Sequence, residues 1–173
     1  ALTIGHLAQL VPTRPAGERA HLVRRGDEIL DVARAVVGRA ESRGRRMGPE
    51  GQAWLARAEA EHLRMRWRTG FDTPSEDDLL GAWQATVAAF EAFPHRFELA
   101  RSRARLASVL RSLGRVPEAR RHADPARETA HALGAAPLLA ELRAAGVAPA
   151  RSEPEPGALT PREREILALV AEG

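Results

Sequence analysis

The stretch HRFELARSRARLASVLRSLGRVPEARRHADPARETAHALGAA, residues 95–136, decides the fold. Over residues 95–113, Leu99, Leu106, Leu110 and Leu113 recur at spacings of seven, four and three, which places them on one face of a helix. Ala100, Ala104 and Ala107 form a small-residue stripe beside it, and Arg101, Arg105, Ser108 and Ser112 take the remaining face. Two adjacent apolar stripes imply two packing partners, a hairpin mate on one side and the next hairpin on the other. Gly114 ends this helix, and Pro117 opens the next near its first helical position. Within that second helix, Asp124–Pro125 predicts a kink or a restart capped by Asp124, because proline removes an i→i−4 bond.

The same logic extends outward. Residues 76–93 carry one stripe of Leu80, Trp83, Val87 and Phe90 and another of Leu79, Ala82, Ala89 and Phe93. Ser75 is the expected N-cap, with Glu76, Asp77 and Asp78 complementing the dipole of the first turn. Residues 49–69 present Leu55, Ala58, His62 and Met65 on one side and Ala56, Ala60, Leu63 and Trp67 on another. Asp27, following a break at Gly26, is expected to cap a helix containing Ile29, Leu30, Ala33, Val36 and Val37. Gly/Pro-bearing breaks fall about every 20 residues, as short connectors between antiparallel helices require.

From 103 to about 136 the chain resembles a tetratricopeptide repeat, in Leu106, Ala107, Leu110, Gly114, Glu118, Ala119, Ala123 and Ala126. The large aromatics usual in that repeat are missing here. The resemblance implies an all-α, tetratricopeptide-like stack of antiparallel helix pairs (an α-α superhelix) over residues 1–147, the alternative being a plain helical bundle.

Composition agrees. Hydrophobic residues make up 44% and charged residues 28%, an ordinary balance for a globular chain, while aromatics at 4% and scarce β-branched residues disfavour sheets. The absence of cysteine excludes a disulfide framework, a thiolate metal site and a cysteine nucleophile. There is no lysine, so all 26 basic residues are arginine, and a P-loop, which needs its lysine to reach the phosphates, is excluded. With a net charge of only +3 and arginines interleaved with glutamates, no nucleic-acid patch is demanded, and Arg39–Arg46 reads as a solvated helix end. No apolar run approaches the ~18 residues of a membrane span. The N-terminal ALTIGHLAQLVP lacks a basic leader and a small-residue cleavage site, and is expected to be the cut end of a helix in a cytoplasmic protein.

At 146–157, GVAPARSEPEPG, prolines at 149, 154 and 156 deny helix continuation, so residues 148–158 are expected to form a Pro/Glu linker. Residues 159–173, LTPREREILALVAEG, then announce a helix. Thr160 is the N-cap, Pro161 sits at N1, Arg162 follows, and Glu163 at N3 completes a capping box. Ile166, Leu167, Leu169 and Val170 make one apolar stripe, and Gly173 stands where a C-cap belongs. This stretch, from Leu159 through the closing Glu172–Gly173, resembles the opening of the LuxR-type helix-turn-helix domain.

The order of helical array, linker and motif is similar to that of large regulators of the maltose-activator type. There, an ATP-binding region precedes a tetratricopeptide-like sensor and the LuxR-type domain follows. The resemblance implies a regulatory segment of a DNA-binding transcriptional regulator, without enzymatic activity of its own. It implies no cofactor in this chain, with ATP expected only in an upstream domain of the parent. DNA would be a partner of the intact parent, and a protein or small-molecule effector a partner of the array. The family's recognition helix falls beyond the motif matched here, so no base-reading residue is carried over. The expectation for residues 159–173 is a helix either frayed or docked onto the array.

Two rival readings come from other classes. One is an interaction scaffold with no transcriptional role. The other is a di-iron carboxylate bundle, suggested by the Glu-x-x-His pairs Glu18/His21, Glu59/His62 and Glu128/His131, although the first lies in a short segment and no four-helix layout emerges. His6, His95 and His122 read as surface or capping residues, and Trp54, Trp67, Trp83, Phe90, Phe93 and Phe97 as core.

Overall fold

The computed structural model describes residues 1–146; the linker expected at 148–158 and the motif at 159–173 lie outside the described residues. The described chain is helical, with no strand. In order come α1 (Leu2–Leu10), a 3-10 turn (Val11–Thr13), α2 (Ala16–Glu41), α3 (Pro49–Thr69), α4 (Glu76–Ala92), α5 (Arg96–Ser112), α6 (Val116–Ala132) and α7 (Ala136–Ala144). They pack as an all-α stack in which α3 pairs with α4 and α5 with α6, α1 and α2 lie against α3, and α7 lies against α5 and α6.

Local chemistry sets the ends. Ser75 Oγ accepts the Asp78 amide at 3.0 Å and caps α4, and the His95 ring accepts the Glu98 amide at 3.3 Å and caps α5. Gly114, at φ 77°, turns the chain out of α5 in a left-handed conformation that only glycine adopts without strain, and the Arg115 amide then reaches Leu110 O at 2.8 Å. The turn recurs at Leu133-Gly134-Ala135-Ala136-Pro137, where the Ala135 amide reaches Ala130 O at 2.8 Å. α4, α5 and α6 are each 17 residues long, joined by three-residue connectors, so their apolar faces stay in register across the stack.

The main core joins Leu79, Leu80, Trp83 and Val87 of α4 to Ala100, Ala104, Leu106, Ala107 and Leu110 of α5. α6 contributes Ala119, Ala123, Ala126 and Ala130, and α7 contributes Leu138 and Leu142. Alanine on α6 opposite leucine on α5 lets the two helices approach closely, and each buried leucine contributes about 1.5–3 kcal/mol. α1 wedges between α2 and α3, with Ile4 against Leu30 and Ala58, and Ala8 and Val11 against Val23 and Met65.

Two expectations are corrected. α2 does not break at Gly26, and Asp27 caps nothing: the helix runs unbroken from Ala16 to Glu41. Gly26 is there for space, since a Cβ at that position would stand 2.2 Å from Met65 Cε. α6 does not restart at Asp124; it continues through Pro125, and the Asp124 carboxylate accepts from Arg127 Nη1 at 2.6 Å. Buried Ala123 and Ala126 on either side hold this turn against α5, which offsets the lost backbone bond. Arg105, on the face of α5 left over by the two apolar stripes, is 6% exposed.

Candidate functional site

Arg105 belongs to a buried polar layer. On α3, Arg57, Glu61, Arg64 and Arg68 recur at spacings of four, three and four, forming a third stripe beside the two apolar ones. On α5, Glu98, Ser102 and Arg105 do the same at four and three. Ionised groups leave water only when paired, and the two stripes meet in such pairs. Arg57 Nε and Nη2 donate to Glu61 Oε1 at 3.2 and 3.1 Å, while its Nη1 donates to Glu98 Oε2 at 3.3 Å and to Ser102 Oγ at 3.1 Å. Arg64 Nε donates to Glu61 Oε2 at 2.8 Å. Arg105 Nη2 donates to Glu141 of α7, and its Nε lies 3.6 Å from Glu61 Oε1. The Arg57 guanidinium also stands 5.4 Å from the centroid of the fully buried Trp83 ring, a cation–π contact. α3 and α5 are thus joined across the stack by ions.

Glu61 is the hub. Burial by itself would raise its carboxyl, but the charges of Arg64, Arg57 and Arg105 hold it down at about 2. The opposite pressure falls on the cations. Burial, then repulsion from Arg64, brings Arg105 down to about 10, against the pull of Glu61 and Glu141. Burial and Arg64 also lower Arg68, which donates to Ala8 O at 3.2 Å and makes no ion pair among the described residues. α1 lies directly over the hub, since a Cβ on Gly5 would sit 3.1 Å from Glu61 Oε1.

The layer opens on one side into a groove of about 410 Å³. Arg64, Trp67 and Arg68 of α3 form one wall, Arg105, Ser108 and Ser112 of α5 another, and Glu141 of α7 with Gln9 of α1 the rim. Gln9 Nε2 donates to Glu141 Oε1 at 2.9 Å, so the first and last described helices meet across the mouth. Next to it, a second hollow of about 430 Å³ between Phe97, Arg101 and Pro137 shares Gln9 and Glu141. Of the three arginines in the lining of the first groove, Arg64 and Arg105 are paired with Glu61 and Glu141, and Arg68 makes no ion pair among the described residues.

The residues singled out by sequence distribute as follows. Leu106, Ala107, Leu110, Ala119, Ala123 and Ala126 lie in the α5–α6 core, away from the groove, and Gly114 forms the turn between them. Trp83 and Phe90 are fully buried, Trp54 meets Phe90 edge-on at 5.5 Å, and the half-buried Trp67 and Phe97 each line a hollow. Glu59 pairs with Arg34 at 2.9 Å and His62 with Asp27 at 2.6 Å, while Glu18, His21, Glu128 and His131 are exposed. Among the described residues no group of three or more His, Asp or Glu side chains could hold a metal ion. Leu159, Thr160, Pro161, Arg162, Glu163, Ile166, Leu167, Val170 and Gly173 lie outside the described residues.

Sequence reasoning missed the polar layer. The signal was present as alternating charge on a third helical face, but such a stripe ordinarily marks a solvated face. Only a matching stripe at the same spacing on α5 distinguishes the buried case.

Fold and site together define an all-α stack of antiparallel helix pairs with an ion-lined groove. No protein-family model, curated protein or solved structure matches the chain. Among the described residues no helix is long and apolar enough to cross a membrane.

Proposed function

We propose that the chain is the regulatory segment of a DNA-binding transcriptional regulator whose helical stack receives an effector. The observation that carries this reading is LTPREREILALVAEG at 159–173, with its capping box and its resemblance to the opening of the LuxR-type domain, placed after a helical array and a Pro/Glu stretch. The groove supports it, because it gives the array a concave place for a small ligand, lined by apolar side chains and a few charged ones. A ligand bridging α3, α5 and α7 favours the arrangement in which those helices are held together. It shifts the population of the stack by its differential affinity for that arrangement. Sequence readout belongs to a recognition helix beyond the matched motif.

The test compares DNA binding by this 173-residue chain with binding by a version extended by about fifty residues of its own gene, at several salt concentrations. Site-specific binding by the extended chain alone is the expected result. Binding by neither makes the terminal motif coincidental and leaves the interaction scaffold as the reading.

A further inference from the structure

We propose that the groove between α3, α5 and α7 is an oxyanion site, and that its ligand is a small molecule bearing a carboxylate or a phosphate. This rests on the reading of the stack as an effector-binding segment and names the chemistry of that effector.

Three observations carry it. Arg64, Arg68 and Arg105 line the groove, and Glu141 on its rim and Glu61 behind it compensate two of them, which leaves an excess of one positive charge. Arg68 donates to a backbone carbonyl and has no acidic partner among the described residues, which leaves its remaining donors for a ligand. Arg105 is 6% exposed, and its buried Nε makes no hydrogen bond, lying 3.6 Å from Glu61 Oε1 in a long ion pair. A buried guanidinium held this loosely is under-compensated, and an oxyanion beside it in the groove adds the negative charge it lacks. The Ser108 hydroxyl lies on the same wall, and the Ser112 hydroxyl, which donates to Val109 O at 2.7 Å, can there only accept. The lowered proton affinity of Arg105, from burial and then the charge of Arg64, and of the exposed Arg68, from partial burial and Arg64, points the same way. A volume of about 410 Å³ suits a small molecule.

Glu141 has a second role in this arrangement. Its carboxylate already occupies Arg105 Nη2 and accepts from Gln9 of α1, so it is the built-in competitor that an incoming oxyanion displaces.

The proposal is tested by isothermal titration of the full chain, in chloride buffer of constant ionic strength, with inorganic phosphate and separately with citrate. Saturable binding of at least one is expected. A response to phosphate alone assigns a phosphoryl ligand, and a response to citrate alone a carboxylate. Arg68→Gln should weaken binding at least tenfold, and Glu141→Gln, which removes the competitor, should tighten it several-fold. Circular dichroism checks the fold of both variants. Because Glu141→Gln predicts a gain, the test survives even if Arg68→Gln unfolds. No saturable heat from either probe, unchanged affinity in folded Arg68→Gln, or weaker binding by Glu141→Gln overturns it. These outcomes are independent of the DNA assay, so the anion site and the regulator reading fail separately.

Discussion

The Glu61 carboxylate is fully buried and receives hydrogen bonds from two arginines on its own helix, with a third arginine close by on α5. Removing its charge leaves those cations uncompensated out of water. Glu61→Gln should therefore cost about 3–5 kcal/mol in urea denaturation at neutral pH. The effect depends on pH. The folded carboxyl titrates at about 2 and the unfolded one near the ordinary 4.5, so between these values the unfolded chain binds more protons. Stability from Glu61 is fully present above about 4.5 and is lost as pH falls toward 2. The gap between wild type and Glu61→Gln should accordingly narrow between pH 5 and 3, and a gap that stays constant would show that Glu61 is not held as described. Gly26 gives a second prediction. Gly26→Ala makes the buried end of Met65 shift and should therefore forfeit most of the roughly 1 kcal/mol that the better helix propensity of alanine offers. In a Met65→Ala background, where the space is free, the same change should stabilise. Thermal melts of the four chains make the double-mutant cycle.

Among the elements, α6 is the one whose sequence argues against it. Pro125 lies inside an unbroken helix and lacks the N–H that would bond to Arg121 O. Helix propensity alone puts proline about 3 kcal/mol below alanine, so Pro125→Ala should raise stability by about 1–3 kcal/mol, read from the urea midpoint. A loss of stability would mean that the half-buried ring contributes packing that outweighs the bond. α4 is the opposite case, since its start is well specified. Ser75 Oγ accepts the Asp78 amide and donates to the Asp78 carboxylate at 2.6 Å. Ser75→Ala should cost about 1 kcal/mol.

At the scale of the whole molecule, the stack is strongest in its middle and weakest at α7. α4, α5 and α6 share the main core, whereas α7 is nine residues long and buries Leu138 and Leu142. Two polar links also tie it in, Glu141 to Arg105 of α5 and to Gln9 of α1. Backbone amides of α7 should exchange with solvent faster than those of α5, and Gln9→Ala should speed them further while lowering global stability by no more than about 1 kcal/mol. Equal protection in α5 and α7 would show that the end of the stack opens only with the whole. This gradient suits a groove whose floor is the rigid α3–α5 layer and whose rim is carried on α1 and α7.

By itself the sequence determined the all-α class and the helices α3, α4 and α5 in their order. Apolar stripes on residues 76–93 and 95–113, the Ser75 cap, the glycine turn at 114 and the prolines at 49 and 117 are local signals that tertiary contacts reinforced. Hence α3, α4 and α5 fall within a residue or two of where periodicity places them. Where the reading failed, the missing information was a neighbour. Gly26 looks like a break until Met65 is seen to need its space, and Pro125 looks like a stop until flanking alanines are seen packed on α5. Arg57, Glu61, Arg64 and Arg105 look like solvated charges until two stripes from separate helices are brought face to face. Helical periodicity is set within one turn of chain and can be read along it. Whether a charged face meets water or another charged face depends on which helix lies opposite, and only the packed structure decides that.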